Sequence, residues 1–189
     1  MKKLAVFASG TGSNFTAIEK AVRSGQIKAE LALLVCDRPE APVIDKAKAC
    51  GIPTLVLQPK AFPTKAAYEQ VILNTLLEKD VFFIALAGYM RLVGSTLLKA
   101  FPSRIVNIHP SLLPSFTGLH AIEQAIEAGV KVTGVTIHYV DEGMDTGPIL
   151  AQQAVEIGDL DTLEAVEARI HEVEHALYPE TLAALLNDY

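Results

Sequence analysis

Residues 4–14 read LAVFASGTGSN, a short apolar run followed by a glycine-rich turn and the first residue of an amphipathic stretch. An apolar run without polar alternation is typical of a strand buried on both faces of a parallel sheet. The turn would place backbone N–H groups beside the positive end of a helix that begins at Asn14, which suits a phosphate. This segment therefore predicts an α/β protein with an anion site after its first strand.

The alternation of strand and helix patterns continues along the chain. Four more apolar runs predict strands, at residues 31–36, 54–57, 81–87 and 104–109. Amphipathic segments between and after the strands predict helices, at residues 14–25, 41–51, 64–79 and 118–129. Such an alternation builds a Rossmann-like open sheet that is mostly parallel and has helices on both faces.

The pattern changes in the last third of the chain. Residues 132–140 and 147–157 predict two longer strands that pair antiparallel through a tight turn. A final helix follows over residues 161–177, with Asp161 as its N-cap. Because no linker composition interrupts the chain, we expect a single domain over residues 1–189.

Composition restricts the partners and the location. The net charge of -6 over 189 residues repels a phosphate backbone, so we expect small-molecule substrates and no nucleic acid. No stretch approaches the roughly 20 apolar residues that cross a bilayer, and the N-terminal apolar run is too short for a signal peptide. We therefore expect no membrane association and a cytoplasmic location. Cys36 and Cys50 belong to no Cys-x-x-Cys pair and are expected to be buried thiols.

Polar residues end the fifth predicted strand. Asn107 and His109 lie two positions apart, hence on one face, at the edge where open α/β sheets bind ligands. An amide donates to a developing oxyanion and an imidazole transfers protons near neutral pH, so this pair predicts catalysis. A nearby carboxylate would orient the ring. Asp141 and Asp145 are both candidates, and their spacing does not choose between them.

Two further segments carry possible functions. The fourth predicted strand ends in AGYMRLV, residues 87–93, in which Met90, Leu92 and Val93 either line a slot for a flat ring or pack in the core. Residues 171–175 read HEVEH, which fits the H-E-x-x-H pattern of zinc hydrolases. A catalytic zinc needs a third ligand, and residues 176–179 read ALYP instead of the metzincin continuation. We therefore expect no metal.

The motifs closely resemble those of the phosphoribosylglycinamide formyltransferases, which are folate-dependent enzymes of purine synthesis. They are SGTGSN (9–14), AGYMRLV (87–93), NIHPSLLP (107–114), GLHA (118–121) and HYVDEGMDTGPIL (138–150). The resemblance spans essentially the whole chain and implies one formyltransferase domain. NIHPSLLP and D-x-G-x-I are shared with other 10-formyltetrahydrofolate enzymes, whereas the glycine loop and EHALYP (174–179) indicate the glycinamide ribonucleotide enzymes.

The resemblance also implies a role for each matching residue. The substrate phosphoribosylglycinamide would be held by Gly12, Ser13, Asn14 and Glu174. The co-substrate 10-formyltetrahydrofolate would be held by Lys65, Met90, Arg91, Leu92, Val93 and Asn107. The catalytic residues would be Asn107, His109 and Asp145. The resemblance thus favours Asp145 over Asp141 as the carboxylate beside His109. The substrate amine would attack the formyl carbon directly, through a tetrahedral intermediate and without a metal. Lys65 replaces an Arg of some relatives, which leaves a point-charge contact to the folate tail.

Three other functions are weighed against this one. A methionyl-tRNA formyltransferase would carry a further C-terminal domain and a basic surface, and a formyltetrahydrofolate deformylase usually carries an extra N-terminal domain. A non-catalytic nucleotide-binding module would use the SGTGSN loop for its ligand and His109 for structure only. The sequence leaves both a monomer and a homodimer open.

Overall fold

The computed structural model describes residues 1–187, and one mixed sheet runs through that part of the chain. Its strands are β1 Lys2–Ala8, β2 Ala29–Cys36, β3 Thr54–Val56, β4 Val81–Leu86, β5 Ile105–His109, β6 Val132–Tyr139 and β7 Ile149–Glu156. Their order across the sheet is β3-β2-β1-β4-β5-β6-β7. The first five strands pair in parallel, and β6 and β7 each run antiparallel to the strand before them. This confirms the predicted sheet, including its antiparallel C-terminal part.

Helices cover both faces of the sheet, as predicted. They are α1 Ser13–Arg23, α2 Pro42–Ala49, α3 Lys65–Glu78, α4 Ser95–Ala100, α5 Ala121–Ala128 and α6 Leu163–Asn187, with a short 3-10 turn at Pro59–Ala61. Side chains of β1 alternate between two cores: Leu4 and Val6 pack with α1, α2 and α6, whereas Phe7 packs with α3 and α4. No helix within residues 1–187 is long and apolar enough to cross a membrane.

The last helix differs from its prediction at both ends. It continues past residue 177 through Pro179 to Asn187, because Tyr178, Leu182 and Leu186 are buried in the core, and this packing outweighs the proline's effect on the helix. The predicted N-cap, Asp161, is wrong. Thr162 Oγ1 accepts the Ala165 N–H instead, while Asp161 pairs with Arg169.

Two smaller features differ from the sequence-based expectations. The six residues of α4 form a helix that the sequence does not predict, because so short a segment shows no clear helical period. Cys36 is buried as expected, but Cys50 is exposed at the end of α2.

The strand order determines where a ligand can bind. From β1 the chain moves outward to β2 and β3, and it then returns to the other side of β1 for β4 and β5. Such a reversal opens a crevice beyond the carboxyl ends of the central strands. The segments that follow β1, β4 and β5 therefore meet at one edge of the sheet.

Candidate active site

A cleft of about 460 Å³ lies at this edge. It is bordered by the turn after β1, the segment after β4, the end of β5 and the loops before α5 and after β6. The predicted site residues that line it are Gly12, Ser13, Asn14, Met90, Arg91, Leu92, Val93, Asn107, His109, Asp145 and Glu174. Residues from both ends of the chain thus share one cavity.

The glycine turn borders the cleft at the N-terminus of α1. Gly12 is the N-cap of this helix with a φ of 78°, a left-handed conformation that favours glycine. A Cβ at this position would lie 2.5 Å from Cγ2 of Val43, so a larger residue would collide with α2. The helix begins at Ser13, one residue earlier than predicted, and its positive end faces the cleft.

Asn14 and Glu174 contact each other beside this turn. Asn14 Nδ2 donates to Glu174 Oε2 at 3.3 Å, and Asn14 Oδ1 is buried without a partner among residues 1–187. Burial raises the pKa of Glu174, while the nearby His171 and the Asn14 hydrogen bond act in the opposite direction. A buried polar atom without a partner at a cleft wall is well placed for a ligand hydroxyl or amine.

His109 lines the cleft and is buried. Its Nε2 is 2.8 Å from the carbonyl oxygen of Phe116. Because a carbonyl only accepts, Nε2 must carry a proton and donate it. Nδ1 lies 3.5 Å from Oδ2 of Asp145, so a charged ring would also donate toward this carboxylate.

The two candidate carboxylates have different surroundings. Asp145 has a φ of 56°, and its Oδ2 accepts the N–H of Gly118 at 2.8 Å. Asp141 is exposed, and its Oδ1 accepts from the Gly143 N–H and the Thr146 hydroxyl, which lower its pKa, the hydroxyl most. Asp145 is thus beside the imidazole, whereas Asp141 holds the turn.

Apolar side chains also line the cleft. Met90 and Leu92 are about half exposed, and Met144 and Leu119, which also line the cleft, are exposed. Val93 borders the cleft but is buried in the core with α3 and α4. Of the two roles open from the sequence, Met90 and Leu92 thus have the position for a ring slot, and Val93 serves mainly the core.

The sequence model described as "Formyl transferase" matches residues 2–182 of this chain. The chain belongs to the formyl transferase family. The phosphoribosylglycinamide formyltransferase of Bacillus subtilis (strain 168) is 57% identical over 186 residues, which cover 98% of this chain and 95% of that protein.

Solved structures and animal proteins are also similar to this formyl transferase. A crystal structure of glycinamide ribonucleotide transformylase 1 from Geobacillus kaustophilus is 58% identical, with a TM-score of 0.96, and covers 98% of this chain and 99% of that chain. The trifunctional purine biosynthetic protein adenosine-3 of Drosophila melanogaster is 42% identical over 98% of this chain, which corresponds to 14% of that protein.

Lys65 is the one predicted site residue of this formyl transferase outside the cleft lining. It is the exposed first residue of α3, and Thr64 caps that helix by accepting the Ala67 N–H. The Cε atom of its side chain packs beside Gly94, which directly follows the cleft residue Val93.

The formyl transferase cleft also contains a histidine that has no predicted role. His138 is buried, its Nδ1 donates to the carbonyl of Tyr139, and its Nε2 lies 3.8 Å from Oδ1 of Asp145 without a hydrogen bond. It is paired with Asn107 across β5 and β6. The position of His138 beside Asn107 follows from the register between β5 and β6, which a local sequence pattern does not indicate.

The two histidines of HEVEH border different cavities in the formyl transferase fold. Their rings stack with centroids 6.2 Å apart, but His171 borders the cleft and His175 borders a separate groove beside α1. Within residues 1–187, no group of three or more His, Cys, Asp or Glu is arranged to hold a metal ion.

Proposed function

We propose that this chain transfers the formyl group of 10-formyltetrahydrofolate to the amine of phosphoribosylglycinamide, a step of purine biosynthesis. The observation that carries the proposal is that the paired His109 and Asp145 line the same cleft as the N-terminus of α1 and the apolar side chains of Met90 and Leu92. The 57% identity to a phosphoribosylglycinamide formyltransferase, over 95% of that protein, supports the same substrates.

The phosphoribosylglycinamide occupies the end of the cleft beside α1 in this proposal. Its phosphate binds the backbone of Gly12, Ser13 and Asn14, where the helix dipole favours an anion. Glu174 and the unpaired Oδ1 of Asn14 accept hydrogen bonds from the ribose or the glycinamide end. The substrate amine then points toward His109.

The pterin ring of the folate lies in the apolar slot. Met90 and Leu92 contact its faces, and Arg91, Val93 and Asn107 border it. The polyglutamate tail leaves the cleft toward Lys65, whose single ammonium contacts a carboxylate without the bidentate geometry of an arginine. This direction places the formyl group, carried on N10 between ring and tail, near the centre of the cleft.

The reaction needs no covalent intermediate with the protein. The neutral amine attacks the formyl carbon, and the carbonyl electrons move to oxygen, which becomes an oxyanion. Asn107 and the charged His109 donate hydrogen bonds to this oxygen, and Asp145 orients the ring. The tetrahedral intermediate collapses with release of N10, which takes up the proton that the amine loses, through His109 or a water molecule.

The hydrogen bond between His109 and Phe116 bears on this mechanism. While Nε2 donates to the Phe116 carbonyl, it is not free to donate to an oxyanion. We therefore expect the loop between β5 and α5 to shift when the substrates bind. Positive φ angles at Phe116 and His120 indicate that this loop already has a strained backbone.

The domain organisation, the location and the partners of the chain follow from the same function. We propose that the chain acts as one domain in the cytoplasm, without a metal and without a nucleic-acid partner. The charge of -6 supports small substrates over tRNA, because a tRNA partner favours a basic surface.

A spectrophotometric assay of folate conversion tests the function. Turnover should require both phosphoribosylglycinamide and 10-formyltetrahydrofolate, and mass spectrometry should detect the formylated ribonucleotide. Formate release without the ribonucleotide would instead indicate a deformylase. Binding of both ligands without transfer would indicate a non-catalytic module.

A further inference from the structure

The segment after β4 has no regular secondary structure, although it forms a wall of the cleft. Its position depends on side chains from neighbouring elements. The Met90 N–H donates to Ser9 Oγ at 2.9 Å, and Arg91 Nε donates to Asp37 Oδ2 at 3.1 Å. The centre of the wall is therefore fixed by the residues that directly follow β1 and β2.

Ser9 and Asp37 form one hydrogen-bonded unit. The register of β1 and β2 pairs Ala8 with Cys36, so the next residue of each strand lies side by side. Ser9 Oγ donates its single hydrogen to Asp37 Oδ1 at 2.6 Å, which leaves its lone pairs to accept from Met90. Each oxygen of Asp37 thus holds one contact that leads to the wall.

Asp37 is buried, and its burial restricts the geometry of the hydrogen bonds that it makes. Its side chain is 1% exposed, whereas that of Arg91 is 45% exposed and borders the cleft. A buried carboxylate requires its hydrogen bonds, because an unpaired charge in the interior is strongly unfavourable. The carboxylate therefore restricts both the Met90 backbone and the Arg91 guanidinium to one geometry.

We propose that Asp37 is a positioning residue for the folate co-substrate. It acts through Arg91 and through Ser9 to hold the wall on which the pterin ring lies, and this inference rests on the proposed function of the cleft. The glycinamide end, at Asn14 and Glu174, is held by α1 and α6 without Asp37. Loss of the carboxylate should therefore affect the two substrates unequally.

Steady-state kinetics of Asp37→Asn test this inference. We expect the KM for 10-formyltetrahydrofolate to rise about tenfold, which corresponds to about 1.4 kcal/mol, while the KM for phosphoribosylglycinamide changes less than about twofold. Asp45→Asn, an exposed carboxylate of α2, is the matched control and should match the wild type. A merely structural role would change both KM values or neither, and either result would overturn the inference.

A double-mutant cycle separates the two contacts of Asp37. In an Arg91→Met background, Asp37→Asn should raise the KM for the folate by less than about threefold, because one of its two contacts is already absent. A full tenfold effect in that background would show that Arg91 is not involved. If Asp37→Asn does not fold, Ser9→Ala removes the hydrogen bonds of Ser9 Oγ with the Met90 N–H and with Asp37 but keeps the contact between Asp37 and Arg91. An unchanged KM for the folate in that variant would contradict the inference.

Direct binding distinguishes failure of the inference from failure of the proposed function. If the wild type transfers no formyl group, the proposed function fails. Calorimetry with tetrahydrofolate then still tests Asp37: an about tenfold weaker Kd in Asp37→Asn supports the inference. An equal Kd in the two proteins contradicts it.

Discussion

Asp145 lies with its Oδ2 3.5 Å from Nδ1 of His109, although 36 positions separate the two residues in the chain. The loop after β6 and the end of β5 bring them together at the edge of the sheet. The opposite ring nitrogen of His109 donates to Phe116. The ring is therefore held from both sides.

Asp145→Asn should reduce kcat by about 10²-fold, because an amide at this position no longer supports the charged imidazole. Asp141→Asn is the matched control. It changes a turn contact on the surface, so kcat should stay within about twofold and the stability should change by less than about 1 kcal/mol. Turnover numbers of the two purified variants provide the measurement. Equal losses would contradict the assignment of Asp145.

His109→Ala should lower kcat by about 10²–10³-fold, which is typical of the loss of one oxyanion donor. The melting temperature should be measured in parallel, because this buried side chain also bonds Phe116. His175→Ala, on the same protein but outside the cleft, should keep most of the activity. Near-normal turnover of a folded His109→Ala variant would exclude a catalytic role.

Gly12→Ala should weaken phosphoribosylglycinamide binding and lower stability together. The left-handed conformation costs an alanine about 1–2 kcal/mol, and its Cβ would lie 2.5 Å from Cγ2 of Val43. Gly10→Ala should be tolerated, since a Cβ there has no neighbour within 4 Å. Thermal unfolding and the KM for the ribonucleotide measure both effects. A Gly12→Ala variant with a wild-type KM would argue against phosphate binding at this turn.

Glu174→Gln should stabilise the protein at neutral pH and weaken substrate binding. Burial raises the pKa of Glu174 in the folded state above its ordinary value of 4.5. The folded protein therefore favours the protonated carboxyl. This contribution to stability is fully present below pH 4.5, and it is lost as the pH rises through the pKa that Glu174 has in the folded state. The variant should melt about 2–4 °C higher at pH 7, which corresponds to about 1 kcal/mol, with no gain at pH 4.

Glu172→Gln is the control for this prediction, because Glu172 is exposed on the same helix. It should show neither the pH-dependent gain in melting temperature nor the higher KM for phosphoribosylglycinamide. A gain in stability at pH 4 as large as at pH 7 would contradict the charge-burial explanation for Glu174.

Lys65→Ala tests the contact to the folate tail. An exposed ion pair is worth about 0.2–1 kcal/mol, so the KM for a polyglutamylated 10-formyltetrahydrofolate should rise by no more than about fivefold. The KM for the monoglutamate should change less, and added salt should reduce the difference. If the variant does not distinguish the two forms of the folate, Lys65 does not contact the tail.

Most of the sheet could be predicted because each central strand contains a run of apolar residues. A strand that is buried on both faces needs apolar residues at successive positions, as in residues 31–36. Gly12 likewise indicates the turn after the first strand from its residue type alone. Local rules failed where packing opposes them. Pro179 should end a helix, yet the buried Tyr178 and Leu182 keep α6 continuous on the core.

The fold class, the family resemblance and the cleft residues that follow β1, β4 and β5 could be predicted from the sequence alone, because residues that follow parallel strands collect at one edge of the sheet. The tertiary structure alone placed His138 opposite Asn107 and joined Asp37 to Ser9 and Arg91. Apolar patterns indicate which side chains are buried. Contacts between polar atoms far apart in the chain depend on the register of the strands and on loop geometry, which no local pattern records.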